Sequence, residues 1–273
     1  MVDTGERLRN LTVKMMSPNT NQTWSGFIIG STTTRTNRVA TIIMSCTHAL
    51  SSRDETVLVA FHRQNNLHIA TNVLFMQPCD ILVVIVYDYH HTYDYLRFPN
   101  VYPQPVPMPL WTGRRVHCVG YANGYNWIYH HGYIASELII NDDPSYDNNM
   151  TMFGLRGGIS KGCSGSAVVD DSLDVLGILH KGHGNTLNLL GANPVPLRNI
   201  SQTEQQYEDF LNANTTTLHD ARFIVHNNVF IPLSSLTFAV SVFYIDAKIR
   251  EKVPNHSGLP LNQVVVNYIS QNY

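Results

Sequence analysis

The amino-acid sequence predicts a mainly β protein made of two antiparallel β halves and a smaller C-terminal region of mixed structure. Three observations point there. Short apolar runs rich in Val, Ile, Tyr and Phe recur up to about residue 180, each bounded by Gly, Pro, Asn or Asp, which is the pattern of strands in a barrel or sandwich. No strand–helix alternation appears, so a doubly wound sheet is not expected. A proline-rich stretch then divides the runs into two groups. With 273 residues, 44% of them hydrophobic, the chain can build its core without covalent staples.

The runs "WSGFIIG" (24–30), "VATIIMSC" (39–46), "TVLVAFH" (56–62) and "DILVVIVY" (80–87) are the expected strands of an N-terminal barrel over residues 1–99. Prolines 99, 103, 105, 107 and 109 follow; they have no N–H to give to a ladder, so residues 100–112 read as an interdomain connection. "RRVHCVGY" (114–121), "HGYIASELII" (131–140), "MTMFGL" (150–155), "GSAVVD" (165–170) and "DVLGILH" (174–180) are the strands of a second barrel over residues 113–200. Beyond it, Ser201 with Glu204 three positions on is a capping box that opens a helix. The rest of 201–273 reads as an extra C-terminal domain of mixed structure.

Bulk chemistry narrows the function classes. The net charge is −2, 14% of residues are charged and no long basic run occurs, so nucleic acid is not the expected partner. Nothing approaches the roughly 18 uninterrupted apolar residues of a spanning helix. "MVDTGERLRN" lacks the apolar core of a secretory signal. Cys46, Cys79, Cys118 and Cys163 show no framework spacing, and free thiols in a reducing compartment are expected. Sequons such as Asn10-Leu11-Thr12 and Asn214-Thr215-Thr216 read as chance in an Asn- and Thr-rich chain.

Chemistry is concentrated in three places. "ISKGCSGSAVV" (159–169) sets Ser164 between Gly162 and Gly165. A serine becomes a nucleophile only with a base to take its proton, and glycines let the backbone bend to aim N–H donors at an oxyanion. The expected donors are the amides of Gly162 and Ser164. In "TIIMSCTHALSS", His48 follows an apolar strand. In "QPCDILVVIVYD", Asp80 heads an unbroken apolar run, where a carboxylate needs a partner; a histidine Nδ1–H is one. Asp54, Asp88 and Asp94 are the alternative acids.

The order His48, Asp80, Ser164 in an all-β chain with a proline-rich midpoint resembles the chymotrypsin-fold serine proteases. The "SCTHALSS", "CDILVVIV" and "GCSGS" boxes carry that resemblance. G-x-S-G-S is similar to the serine-type 3C-like main proteases of nidoviruses, of the arterivirus and torovirus kind. What this implies is two chymotrypsin-type barrels, an added C-terminal domain, and cleavage of a viral polyprotein after Gln or Glu. It implies a His48–Asp80–Ser164 triad with an acyl-enzyme and no cofactor or metal. It also implies a substrate pocket involving Ser160, His180 and His183, with His180 reading the residue before the scissile bond and His183 the runner-up. The expected setting is the cytoplasm of an infected host cell, and a homo-oligomer through the C-terminal domain stays open. In thiol relatives the cysteine takes the third place of the G-x-C-G box, which here is Ser164; Cys163 falls on the variable position.

Three rival readings remain. One is a catalytically inactive module of the same fold that binds peptides or RNA. Another is a metal site drawn from His90/His91, His130/His131 and His180/His183, although neighbouring histidines on a strand face opposite ways. The last is a β-sandwich with the triad letters by chance.

Overall fold

The computed structural model describes residues 4–64, 66–89, 95–99, 112–121, 127–136, 139–141, 143–156, 162–180, 195–196, 222–226, 229–232, 236–253 and 258–273. Helix α1 (Thr4–Leu11) buries Leu8 and Leu11. It leads into β1 (Thr12–Met16), β2 (Thr23–Thr33) and β3 (Val39–Ser45). Then come β4 (Val57–Phe61), β5 (Leu67–Met76) and β6 (Ile81–Tyr87). These six strands close into an antiparallel barrel in the order β1-β2-β3-β6-β5-β4.

The unbroken apolar run of β6 has a direct physical reason. Successive side chains point to opposite faces, and both faces are buried. Leu82, Val84 and Val86 fill the barrel interior with Trp24, Ile28 and Ile43. Ile81, Val83 and Ile85 join a second cluster with residues of the other half and the C-terminal helices. Strands buried on both faces lose the polar alternation that marks a half-exposed strand.

The second half holds β7 (Arg115–Gly120), β8 (Ile128–Ile134), β9 (Ile139–Ile140), β10 (Thr151–Arg156), β11 (Ala167–Val169) and β12 (Val175–Leu179). A separate three-stranded sheet contains β13 (Val195–Pro196), β14 (Arg222–His226) and β15 (Val229–Pro232). Strand β16 (Leu236–Ser241) then returns to the second barrel. It pairs with β12 on one side, Ile178 opposite Val240, and with β10 on the other, Gly154 opposite Phe238. That double pairing closes the barrel.

This corrects the expected domain boundaries. The second barrel does not end at residue 200, and 201–273 is not one separate extra domain, because its strand 236–241 is a stave of the barrel. Helix α2 (Val242–Lys252), capped by the Ser241 hydroxyl accepting from the Tyr244 N–H, continues from that strand. Helix α3 (Leu261–Asn272) lies on the first barrel instead. A Cβ at Gly30 would come within 2.7 Å of Val266 Cγ2, so the helix rests on bare backbone there. The expected connection at 100–112 and the helix opened by Ser201 and Glu204 fall almost wholly outside the described residues.

Gly177 in β12 allows the same close approach at the closing seam. A Cβ there would meet the Val240 carbonyl oxygen at 2.4 Å and the Phe153 ring at 2.8 Å. Gly177→Ala is therefore expected to force β16 away and to lower stability by about 3 kcal/mol, read as a drop in the urea midpoint.

Candidate active site

Asp80 is aimed inward by a 3-10 turn, Gln77–Cys79, that ends with Asp80 itself in the left-handed region at φ 54°. The carboxylate is 1% exposed, and burial of a charge demands partners. It has five donors. Oδ1 accepts from the Thr47 N–H at 2.9 Å, the Thr47 hydroxyl at 3.1 Å and the His48 N–H at 2.8 Å. Oδ2 accepts from two imidazoles, His48 Nδ1 at 2.9 Å and His180 Nδ1 at 2.5 Å. Burial alone would raise the Asp80 pKa, but the His48 charge and the His180 and His48 hydrogen bonds outweigh it, and the carboxyl is held well below its ordinary range. Of the alternative acids, Asp54 is exposed, Asp88 is exposed and paired with Arg38, and Asp94 lies outside the described residues.

A carboxylate only accepts, so His48 carries its proton on Nδ1 and, when neutral, leaves Nε2 as a base. Burial disfavours the imidazolium, while the Cys46 sulfur and the Asp80 carboxylate favour it, and the His48 pKa is raised. Burial also pushes the Cys46 thiol up. Near neutral pH that sulfur is therefore uncharged, and Asp80 supplies the operative stabilisation.

Ser164 lies half-buried between β10 and β11, in a turn with Gly162 at φ 99° and Gly165 at φ 82°. The turn is clamped to the first barrel by Ser25, a fully buried serine. Its N–H donates to the Ser164 carbonyl at 2.9 Å and its hydroxyl donates to the Gly162 carbonyl at 2.9 Å. The same hydroxyl accepts the Tyr121 N–H at 3.0 Å, and the Ser25 carbonyl accepts from the Ser45 hydroxyl at 2.6 Å. A Cβ at Gly165 would strike the Ser25 oxygen at 2.2 Å and Ser45 Oγ at 2.3 Å, and would reach Cys46 N at 3.2 Å. The serine turn is thus pressed onto the strand end that leads to His48. The Cys163 carbonyl accepts the Ser166 N–H at 3.0 Å. Because a trans peptide points its C=O and N–H in opposite directions, the Ser164 amide is turned away from that bond.

His180, expected to read the substrate, is set against Asp80. It is buried, with Nδ1 on Asp80, its ring edge-on to His48 at 5.4 Å and to Tyr146 at 4.8 Å. It stands three residues after Gly177, and each single step along a strand reverses the face. Its Nδ1 is committed to the Asp80 carboxylate. Ser160 and His183 lie outside the described residues. Cys163 is fully buried, with Sγ 3.7 Å from His130 Nε2. His90 and His91 lie outside the described residues. Among those described, the group of three metal-capable side chains is Cys46, His48 and Asp80, not the His-His pairs.

Sequence reasoning missed Thr47, Ser25 and Tyr146. For Ser25 a signal was available: a small polar residue between Trp24 and Gly26 inside an apolar strand has to satisfy its hydroxyl when buried.

The family described as trypsin-like peptidase domain matches residues 24–178. No curated protein sequence shows a significant match. Among solved structures the fold is similar to an inactive form of Rv3671c from M. tuberculosis H37Rv, at TM-score 0.56 and 16% identity over 92% of each chain. The active form of the Rv3671c protease gives TM-score 0.53 and 16% identity over 94% of this chain and 86% of that one. An HtrA-type protease, AlgW, with a tripeptide gives TM-score 0.54 and 13% identity over 91% of this chain and 60% of that one.

Proposed function

This chain belongs to the trypsin-like peptidase family and is a serine peptidase of two-barrel fold, and from that premise we propose that His48, Asp80 and Ser164 are its catalytic triad. The observation that carries the assignment is the buried His48–Asp80 pair beside a serine turn clamped by Ser25. His48 Nε2 takes the Ser164 proton, and Ser164 Oγ attacks the scissile carbonyl of a polypeptide. Asp80 holds the imidazole tautomer and supports the imidazolium. The Gly162 and Ser164 amides hold the oxyanion, each worth about 3–4 kcal/mol in the transition state. His48 then returns its proton to the leaving amine, and water releases the acyl-enzyme. A serine-reactive fluorophosphonate should label the protein at Ser164; labelling confined to another residue would overturn the assignment.

The finer reading is a viral 3C-like main protease that cuts a polyprotein after Gln or Glu in the cytoplasm of an infected cell. It is supported by the resemblance of the "GCSGS" and "SCTHALSS" boxes. With His180 committed to Asp80, His183 is the imidazole left to read the substrate side chain, since a fixed neutral ring can donate to an amide carbonyl. A peptide library should show cleavage after Gln at least about tenfold faster than after Leu or Lys. Indifference to that residue would reject the 3C-like specificity.

In this reading His180 is a positioning residue that shares Asp80 with His48. His180→Ala should lower kcat by about tenfold, the size of one hydrogen bond to a charged group. Without that donor the carboxylate acts more strongly on His48, so the His48 pKa rises. The acid limb of kcat/KM, which marks His48 losing its proton, should therefore move to higher pH. A fall in kcat with an unmoved acid limb would mean that His180 only fills space.

A further inference from the structure

Cys46 sits two residues before His48, and its Sγ is 3.9 Å from His48 Nε2, the nitrogen that must receive the serine proton. The thiol is fully buried and faces the imidazole, whose side chain is 13% exposed. One ligand atom each from Cys46, His48 and Asp80 lies within 4.8 Å of the others. Catalysis as derived above gives this sulfur nothing to do.

We propose that Cys46 and His48 form an inhibitory clip for a thiophilic divalent cation, with Zn²⁺ bridging Cys46 Sγ and His48 Nε2. Zinc bonds of about 2.3 Å to sulfur and about 2.0–2.1 Å to nitrogen put two such donors roughly 3.6 Å apart at the tetrahedral angle, so a shift of a few tenths of an ångström accommodates the ion. Thiolate and imidazole are the donors this metal prefers. Asp80 stays on Nδ1 of the same ring, the carboxylate–histidine–metal arrangement that fixes the tautomer and strengthens the ligand. The Cys46 S–H bond breaks, a sulfur–zinc bond forms and the proton leaves to solvent, with no change of oxidation state. Water fills the remaining positions. An occupied Nε2 cannot take the Ser164 proton, so the ion shuts the site reversibly. The inhibitory consequence rests on His48 being the general base; the binding site itself does not.

The test separates the two. Co²⁺ added to the Ser164→Ala protein, which needs no activity, should give a thiolate-to-cobalt charge-transfer band that disappears in Cys46→Ala and in Cys46→Ser. In the otherwise unmutated peptidase, Zn²⁺ should inhibit and a chelator should restore activity. Either Cys46 variant should need at least about tenfold more Zn²⁺ for the same inhibition. Cys163→Ala is the control, because among the described residues Cys163 and His130 form a second close thiol–imidazole pair at 3.7 Å; it should leave the zinc sensitivity unchanged. No cobalt band, a band lost only in Cys163→Ala, or equal zinc sensitivity in both Cys46 variants would overturn the proposal.

Discussion

Replacing Ser164 by alanine is expected to lower kcat about a millionfold, the loss seen when a triad nucleophile is removed from an intact site. The fold should survive, because the turn is held through backbone carbonyls and not through the Ser164 hydroxyl. The Ser164 carbonyl stays on the Ser25 N–H and the Gly162 carbonyl on the Ser25 hydroxyl. An unchanged thermal midpoint beside undetectable turnover is the predicted pair of readings. Cys163→Ala should do the reverse, keeping turnover and losing about 1 kcal/mol of stability as a buried side chain shrinks. If the two variants exchanged these phenotypes, the nucleophile would be the thiol.

Asp80→Asn should lower kcat by about ten thousandfold, because an amide no longer fixes the productive His48 tautomer. This substitution should also weaken the fold. Asp80 offers two oxygens to five donors, and asparagine replaces one oxygen with an NH2 group that faces Nδ1–H groups of two rings. Removing one partner from a buried ionic arrangement costs about 3–5 kcal/mol, measurable by urea unfolding at pH 7. Since the native Asp80 pKa lies below its ordinary value, its contribution is complete above the usual carboxylate range. It fades as pH falls below that range and is gone below the lowered value, so the difference between the two proteins should shrink in strong acid. Asp88→Asn, at an exposed pair with Arg38, should leave both readings unchanged.

The nine apolar runs read from the sequence all fall on or across strands, because β-branched residues between turn formers report burial on a pleated surface. What escaped was strand structure without that signature. In β5, Leu67 and Ile69 face outward, 51% and 73% exposed, and Thr71 and Asn72 interrupt the run, so its period is blurred. β16 escaped for another reason: a long insertion separates it from its partners β10 and β12, and pairing across such a distance leaves no local mark. The pairing of Asp80 with His48 was legible from a carboxylate heading an apolar strand. The orientation of His180 was not, since a one-residue difference in register decides which face a side chain takes. Thr47 and Ser25 act largely through main-chain geometry, which residue type alone does not reveal.

The late return of β16 has a consequence for timing during synthesis. Every residue assigned to bond breaking precedes position 181, yet the barrel that carries Ser164 lacks its closing stave until residues 236–241 have been made. Domains form in the order in which they leave the ribosome, so the first barrel can be complete while its neighbour still gapes between β10 and β12. A nascent chain therefore carries its proposed cutting residues from position 164 onward but leaves them unassembled until residues 236–241 emerge, and the return of that strand acts as the arming step.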